Sequence, residues 1–279
     1  MLFRSLLKPF DASRFKGVDL LAGGLPCPPF SIAGKQLGAA DERNLFPSAF
    51  RIIRDCRPKA VMIEDVAGLL SPRFEAYRES IRSSCEELGY TVDMRLLNAA
   101  DFGVPQRRNR VIIVALRHRF AEHFTWPVGR SGSPPTVGDV LHDLMAEGGW
   151  RGADRWARRA DGIAPTVVGG SKKHGGADLG PSSARKAWAA LGVKGSGLAD
   201  APPEQDFVGM PRLTVPMVAR LQGFPDNWVF EGTKTHAYRQ VGNALPPQVA
   251  FAVARQIKRA ILARRRVWLA SRESTRVHA

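Results

Sequence analysis

The chain has 279 residues, and its 41 Lys and Arg against 26 Asp and Glu leave a formal charge of +15, an excess that points to a polyanionic partner, nucleic acid ahead of a membrane surface. That length gives a prior of about two domains with ample material for a core. No apolar run is long enough to span a bilayer, Lys8 and Pro9 break the apolar start too early for a secretory signal, and Cys27, Cys56 and Cys85 lack the paired spacing of a metal site. The expectation is a reduced, cytoplasmic protein without a bound metal.

Residues 18–22 are short and apolar and are closed by Gly23 and Gly24, which predicts a buried parallel strand. The run Pro26-Cys27-Pro28-Pro29 that follows forbids helix and sets a thiol at the mouth of that strand, where open α/β sheets bind their ligands. Helical spacing predicts a helix over 44–56, stopped by Pro58, then a strand over 60–64, a helix over 74–88 ended by Gly89, a strand over 90–97, and the clearest strand over 110–116. Cys56 and Cys85 fall within those helices as bystanders. The βαβ alternation argues for a largely parallel sheet.

From 128 to about 211 Gly, Pro, Ser and Arg become frequent and periodicity weakens, which predicts an irregular second region; its Gly-rich stretch 169–176 lacks the context of a nucleotide loop and reads as a basic DNA-contacting loop. A helix is predicted over 213–222. From 247 an apolar stripe of Val249, Ala252, Val253, Ile257 and Ile261 opposes Arg255, Lys258, Arg259 and Arg264, and predicts a closing helix that packs on the sheet and frays from about 271. The change of texture divides the chain at about 127/128.

Three sets of chemically capable residues fall at strand ends: Cys27, Glu64, and the cluster Gln106-Arg107-Arg108-Asn109-Arg110. Singly, each has a structural explanation as an inert thiol, a surface carboxylate or a solvated charge. Together they suit methylation at carbon 5 of cytosine. A thiolate adds at carbon 6, a carboxylic acid near ring nitrogen 3 takes up the developing charge, and guanidinium donors hold the ring carbonyl and neighbouring phosphates. Arg108 and Arg110 are expected to share one strand face by their period of two.

On these residues the chain resembles the DNA cytosine-5 methyltransferase family. Pro26-Cys27 with Phe30-Ser31 resembles its nucleophile motif, Glu64-Asp65-Val66 its Glu-Asn-Val motif, and Gln106 to Arg110 its Gln-x-Arg-x-Arg motif. Arg212-Leu213-Thr214 with the segment from Leu221 to Asp226, and Arg239 to Pro247, are similar to the family's later motifs. The resemblance implies an α/β fold, a Rossmann-like class I methyltransferase sheet (1–127 and 236–279) beside a smaller target-recognition domain (128–235) that reads a flipped-out cytosine's context in duplex DNA. It implies catalytic roles for Cys27, Glu64, Arg108 and Arg110, contacts to S-adenosylmethionine from Pro26, Asn243 and Ala244, and substrate contacts from Ser31 and Gln106.

Two departures stand out. The Phe-x-Gly-x-Gly loop and the acidic residue for the cofactor ribose have no counterpart before Cys27, so the sheet's N-terminal strands are expected to be missing. Asp65 stands where the motif has Asn, an acceptor-only carboxylate in place of an amide. The expectations are therefore a split enzyme whose second polypeptide supplies the cofactor half, or a truncated methyltransferase of a bacterial restriction-modification system; a silent DNA-binding remnant or an RNA cytosine-5 methyltransferase is the alternative.

Overall fold

The computed structural model describes residues 11–25, 44–169 and 177–277, with side chains as far as 264. The chain divides into two compact units, one comprising Met1–Leu97, Asn109–Pro127 and Ala252–Ala279, the other Asn98–Arg108 and Val128–Phe251.

The first unit is built on a four-stranded sheet. Strand β1 (Leu20–Gly24) is followed by helix α1 (Phe46–Cys56), β2 (Ala60–Val66), α2 (Glu75–Glu87), β3 (Tyr90–Asn98, its last residue in the second unit), β4 (Asn109–Arg117) and the short α3 (His118–Ala121), and the strand order is β1-β2-β4-β3. Helix α1 buries Phe46, Ala49, Ile53 and Cys56 and ends where Arg57 turns left-handed, its amide bonded back to Ile53, just before Pro58 bars continuation. Strands β2 and β4 are buried nearly end to end, as their continuous apolar runs require. On one face Val61, Ile63, Val111, Ile113 and Ala115 pack with Phe46, Ile53, Phe74, Ile81 and Cys85, and each such side chain contributes about 1.5–3 kcal/mol by leaving water.

Two expectations change here. Strand β1 pairs parallel with β2, Gly24 opposite Glu64, but it is shifted two residues toward the glycines and its last three residues are exposed rather than buried, because it pairs on one side only within this sheet. The sheet is mixed: β2 and β4 run antiparallel, with Val66 opposite Arg110 and Glu64 opposite Ile112. The link between β3 and β4, residues 99–108, is shorter than the dozen or so residues that a parallel return needs.

The second unit is helical where the sequence suggests irregular chain. It holds α4 (Val137–Ala146), α5 (Ala153–Arg159), α6 (Ser182–Ala190), α7 (Val215–Leu221), α8 (Lys234–Asn243) and the start of α9 (Pro247–Val277), which runs past the expected fraying point. Helix α4 opens on a capping box in which Thr136 and Asp139 exchange side-chain and backbone hydrogen bonds of 3.1 and 2.8 Å. The unit's own core gathers Leu141, Met145, Trp156, Trp188, Met217 and Tyr238. In α9, Val249, Val253 and Ile257 of the expected apolar stripe are buried, and so is Ala260 outside it. No helix among the described residues is long and apolar enough to cross a membrane.

Candidate active site

Glu64 lies near the carboxyl end of β2 with 7% of its surface exposed. Pairing of β2 with β4 makes Arg110 its diagonal neighbour on the same sheet face, and Arg110 Nε stands 2.7 Å from Glu64 Oε1. The ion pair is largely buried on both sides, so it is screened far less than a surface pair; Arg110 Nε makes no hydrogen bond in it, and the carboxylate is held by charge. Gly24, opposite Glu64 on β1, leaves room for this carboxylate: a Cβ there would stand 3.0 Å from Glu64 Oε2.

Asp65, on the other sheet face opposite Val111, is fully buried. Its Oδ1 accepts from the Val66 amide at 2.7 Å, while Oδ2 has no hydrogen-bond partner among the described residues. Burial, opposed by the Val66 bond and by Arg110 and assisted by the charge of Glu64, pushes its carboxyl up to about 7. Tyr77 of α2, whose hydroxyl donates to Asn44 Oδ1 at 2.9 Å, is pushed up to about 12, chiefly by burial and in smaller part by Asp65.

In the second unit the arginine cluster does different work. Arg108 lies one residue before β4 rather than on it, so it does not share a strand face with Arg110 as its spacing suggests. Its buried guanidinium donates to the carbonyls of Val167, Gly242 and Ala244 at 2.7, 2.9 and 3.0 Å, and its backbone amide donates to Asn98 Oδ1. Gln106, equally buried, accepts from the Val167 amide at 2.9 Å and donates to Leu221 O and to Gln222 Oε1, the latter at 2.6 Å. Gln222 donates in turn to Ala244 O at 2.6 Å. Pieces of chain far apart in sequence, around 106, 167, 222 and 243, are thus laced together by buried amides and one guanidinium. Gly242 permits the approach: a Cβ there would stand 2.6 Å from Gly169 Cα.

Pro26, Cys27 and Ser31 lie outside the described residues, as does most of the Gly-rich stretch 169–176. Of the residues expected to touch S-adenosylmethionine, Ala244 has its carbonyl occupied by Arg108 and Gln222, and Asn243 presents an exposed side chain beside Gly169. These two do not by themselves make a cradle for that cofactor. Cys56 and Cys85 are buried helix residues; Cys56 donates to Ala12 O at 3.1 Å, and burial pushes the Cys85 thiol up to about 11. Sequence reasoning missed Gln222 and Gly24 as site residues. Gln222 adjoins the Gly-Phe-Pro-Asp run, and Gly24 closes the first strand, but neither spacing names a partner.

The family model for C-5 cytosine-specific DNA methylase matches residues 7–259. This chain belongs to that family. Among its relatives, type II methyltransferase M.NaeI of Lentzea aerocolonigenes is 55% identical over 260 residues, 92% of this chain and 62% of its own length. Type II methyltransferase M.NgoMIV of Neisseria gonorrhoeae is 50% identical over 255 residues, 90% of this chain and 81% of its own. The chain therefore spans less than two thirds of M.NaeI. Among solved structures, the Entamoeba histolytica methyltransferase EhMeth aligns with a TM-score of 0.55 at 16% identity, covering 86% of this chain and 76% of that one. Spodoptera frugiperda DNMT2 gives 0.51 at 19%, covering 86% and 79%. That likeness is one of fold, the Rossmann-like α/β fold of class I methyltransferases, as the motifs imply.

Proposed function

We propose that this chain methylates carbon 5 of cytosine in a specific duplex DNA sequence, as the modification enzyme of a type II system, with S-adenosylmethionine as methyl source. The observation that carries the reading is the buried Glu64–Arg110 pair at the strand end, in a chain of this family. Glu64 meets ring nitrogen 3 of an extruded cytosine, and Arg110 keeps the carboxylate aimed at it. The Cys27 thiolate forms a bond to carbon 6, which makes carbon 5 nucleophilic; once carbon 5 carries the methyl group and has given up its proton, the carbon–sulfur bond breaks. Arg108 and Gln106 act as positioning residues, holding the segments around 167 and 243 in register. Residues 128–235 read the target sequence, and S-adenosylmethionine contacts outside the described residues complete the site, supplied in cis or by a second polypeptide.

The test is a duplex carrying 5-fluorocytosine, incubated with S-adenosylmethionine and the chain, alone and together with any polypeptide encoding the Phe-x-Gly-x-Gly loop. Fluorine at carbon 5 cannot leave as a proton does, so the enzyme stays joined to DNA. A denaturation-resistant adduct that maps to Cys27 and is abolished by Cys27→Ser is the expected result. Reversible complexes alone, in every combination, overturn it in favour of a binding protein.

A further inference from the structure

The chemistry assigned to Glu64 leaves its neighbour Asp65 unexplained. A fully buried carboxyl with one oxygen on the Val66 amide and the other without a partner among the described residues is an unusual thing to keep in a core. If ionised, it would be a buried anion with a single hydrogen-bond donor, adjacent in the strand to a second carboxylate, Glu64. If protonated on Oδ2, it is a neutral group lacking one acceptor, a far smaller penalty. Among the described residues, the charged and titratable groups that bear on it are Glu64 from its own strand, Arg110 from β4 and Tyr77 from α2. Arg110 is already paired with Glu64, and the Tyr77 hydroxyl donates to Asn44.

We propose that Asp65 is a positioning residue that works as a neutral acid: with its proton on Oδ2 it anchors the Val66 amide through Oδ1, and it leaves Arg110 wholly to Glu64. Loss of that proton places a second negative charge on the residue next to Glu64, and its pull across the sheet on the charge of Arg110 weakens the guanidinium's hold on Glu64. Glu64 loses its fixed aim. The proposal rests on the reading of Glu64 given above. The raised carboxyl, at about 7, places this loss at neutral to alkaline pH. An unfolded aspartate titrates at about 4, so between there and 7 the folded chain holds a proton that the unfolded chain has released. Stability from this site is therefore complete below about pH 4, declines as pH rises, and has fallen fully once pH passes 7.

Asp65→Asn places a neutral amide of the same shape at the position, and Asp65→Ala removes the anchor. The infrared spectrum of the full chain near pH 6 should contain a protonated-carboxyl band that Asp65→Asn lacks. The gain in melting temperature of Asp65→Asn over the unmodified chain should grow from about pH 5 to about pH 8.5. In the fluorocytosine trapping reaction the unmodified chain should lose rate about tenfold per pH unit on an alkaline limb near 7, a limb that Asp65→Asn moves upward by a unit or more; Asp65→Ala, which cannot ionise either but lacks the anchor, should lose that limb and trap more slowly at every pH. Absence of the band, or a melting difference that does not change with pH, overturns the neutral acid. An alkaline limb identical in Asp65→Asn overturns the positioning role. The infrared and melting measurements need no turnover, so failure of trapping in every protein would count against the assigned reaction and leave the protonation of Asp65 decided separately.

Discussion

At the scale of single residues, the candidate site depends on space as much as on charge. Gly24 is the clearest case, because a methyl group there would sit 3.0 Å from Glu64 Oε2 and press the carboxylate off its ion pair with Arg110. In an extended strand alanine is better tolerated than glycine by roughly 0.5–1 kcal/mol, so the backbone has no reason to resist the change. Gly24→Ala should thus lower the rate of trapping or methyl transfer by roughly tenfold or more while the melting temperature holds or rises, since misplacing a reacting group costs rate without costing fold. A variant with full rate would mean that Glu64 has freedom the ion pair does not suggest. Equal loss of rate and stability would mean that the glycine serves the sheet, not the carboxylate.

At the scale of elements, the second unit is held by side-chain amides where a sheet would use its ladder. Gln106→Leu keeps the bulk of the residue but strands the Val167 amide, the Leu221 carbonyl and Gln222 Oε1, all partners of a fully buried side chain. Leaving buried polar groups unpaired costs about 1–3 kcal/mol each, so a loss of about 3 kcal/mol or more in unfolding free energy is expected, read as a lower urea midpoint with an unchanged slope. A loss under about 1 kcal/mol would show that water replaces the amide. How much of this was legible follows from what periodicity encodes. The strands β2 and β4 announce themselves as unbroken apolar runs, and α1, α2 and α7 by their spacing and stops, so element type could be read. Strand direction could not, because alternation is the same either way and only the length of the link 99–108 betrays the reversal. Helices α5 and α6 were hidden by short length and by single buried tryptophans, Trp156 and Trp188, whereas α4 was legible in Val137, Leu141 and Met145 and in the capping box of Thr136 and Asp139. At the site, motif and strand end brought out Glu64 and Arg110 singly but not their ion pair, because the guanidinium was expected on the ring carbonyl and phosphates. Arg108 was misread as strand because a period of two says nothing about where the strand begins.

At the scale of the whole molecule, the +15 charge must act through residues that water and phosphate can reach. In the second unit Lys194 and Arg212 are exposed and line a cavity of about 940 Å³ together with Phe207, Val208 and Met210, of which Val208 is 92% exposed. Such a mixture suits duplex DNA: cations for phosphates, and apolar groups for base edges such as the thymine methyl. Each phosphate neutralised releases counterions, so the logarithm of the binding constant should fall linearly with the logarithm of salt, with a slope of about −0.9 per contact. If the chain makes six or more such contacts, affinity for a duplex should drop by about 10³-fold or more between roughly 50 and 200 mM salt. Lys194→Ala and Arg212→Ala should each flatten that slope by about one and weaken binding to all duplexes alike, because a phosphate contact carries no sequence information. Titrations of labelled duplexes at four or five salt concentrations read both quantities. A slope unchanged in both variants would move the DNA face away from this cavity, and a loss confined to one sequence would make the substituted residue a reader of bases instead of a contact to the backbone.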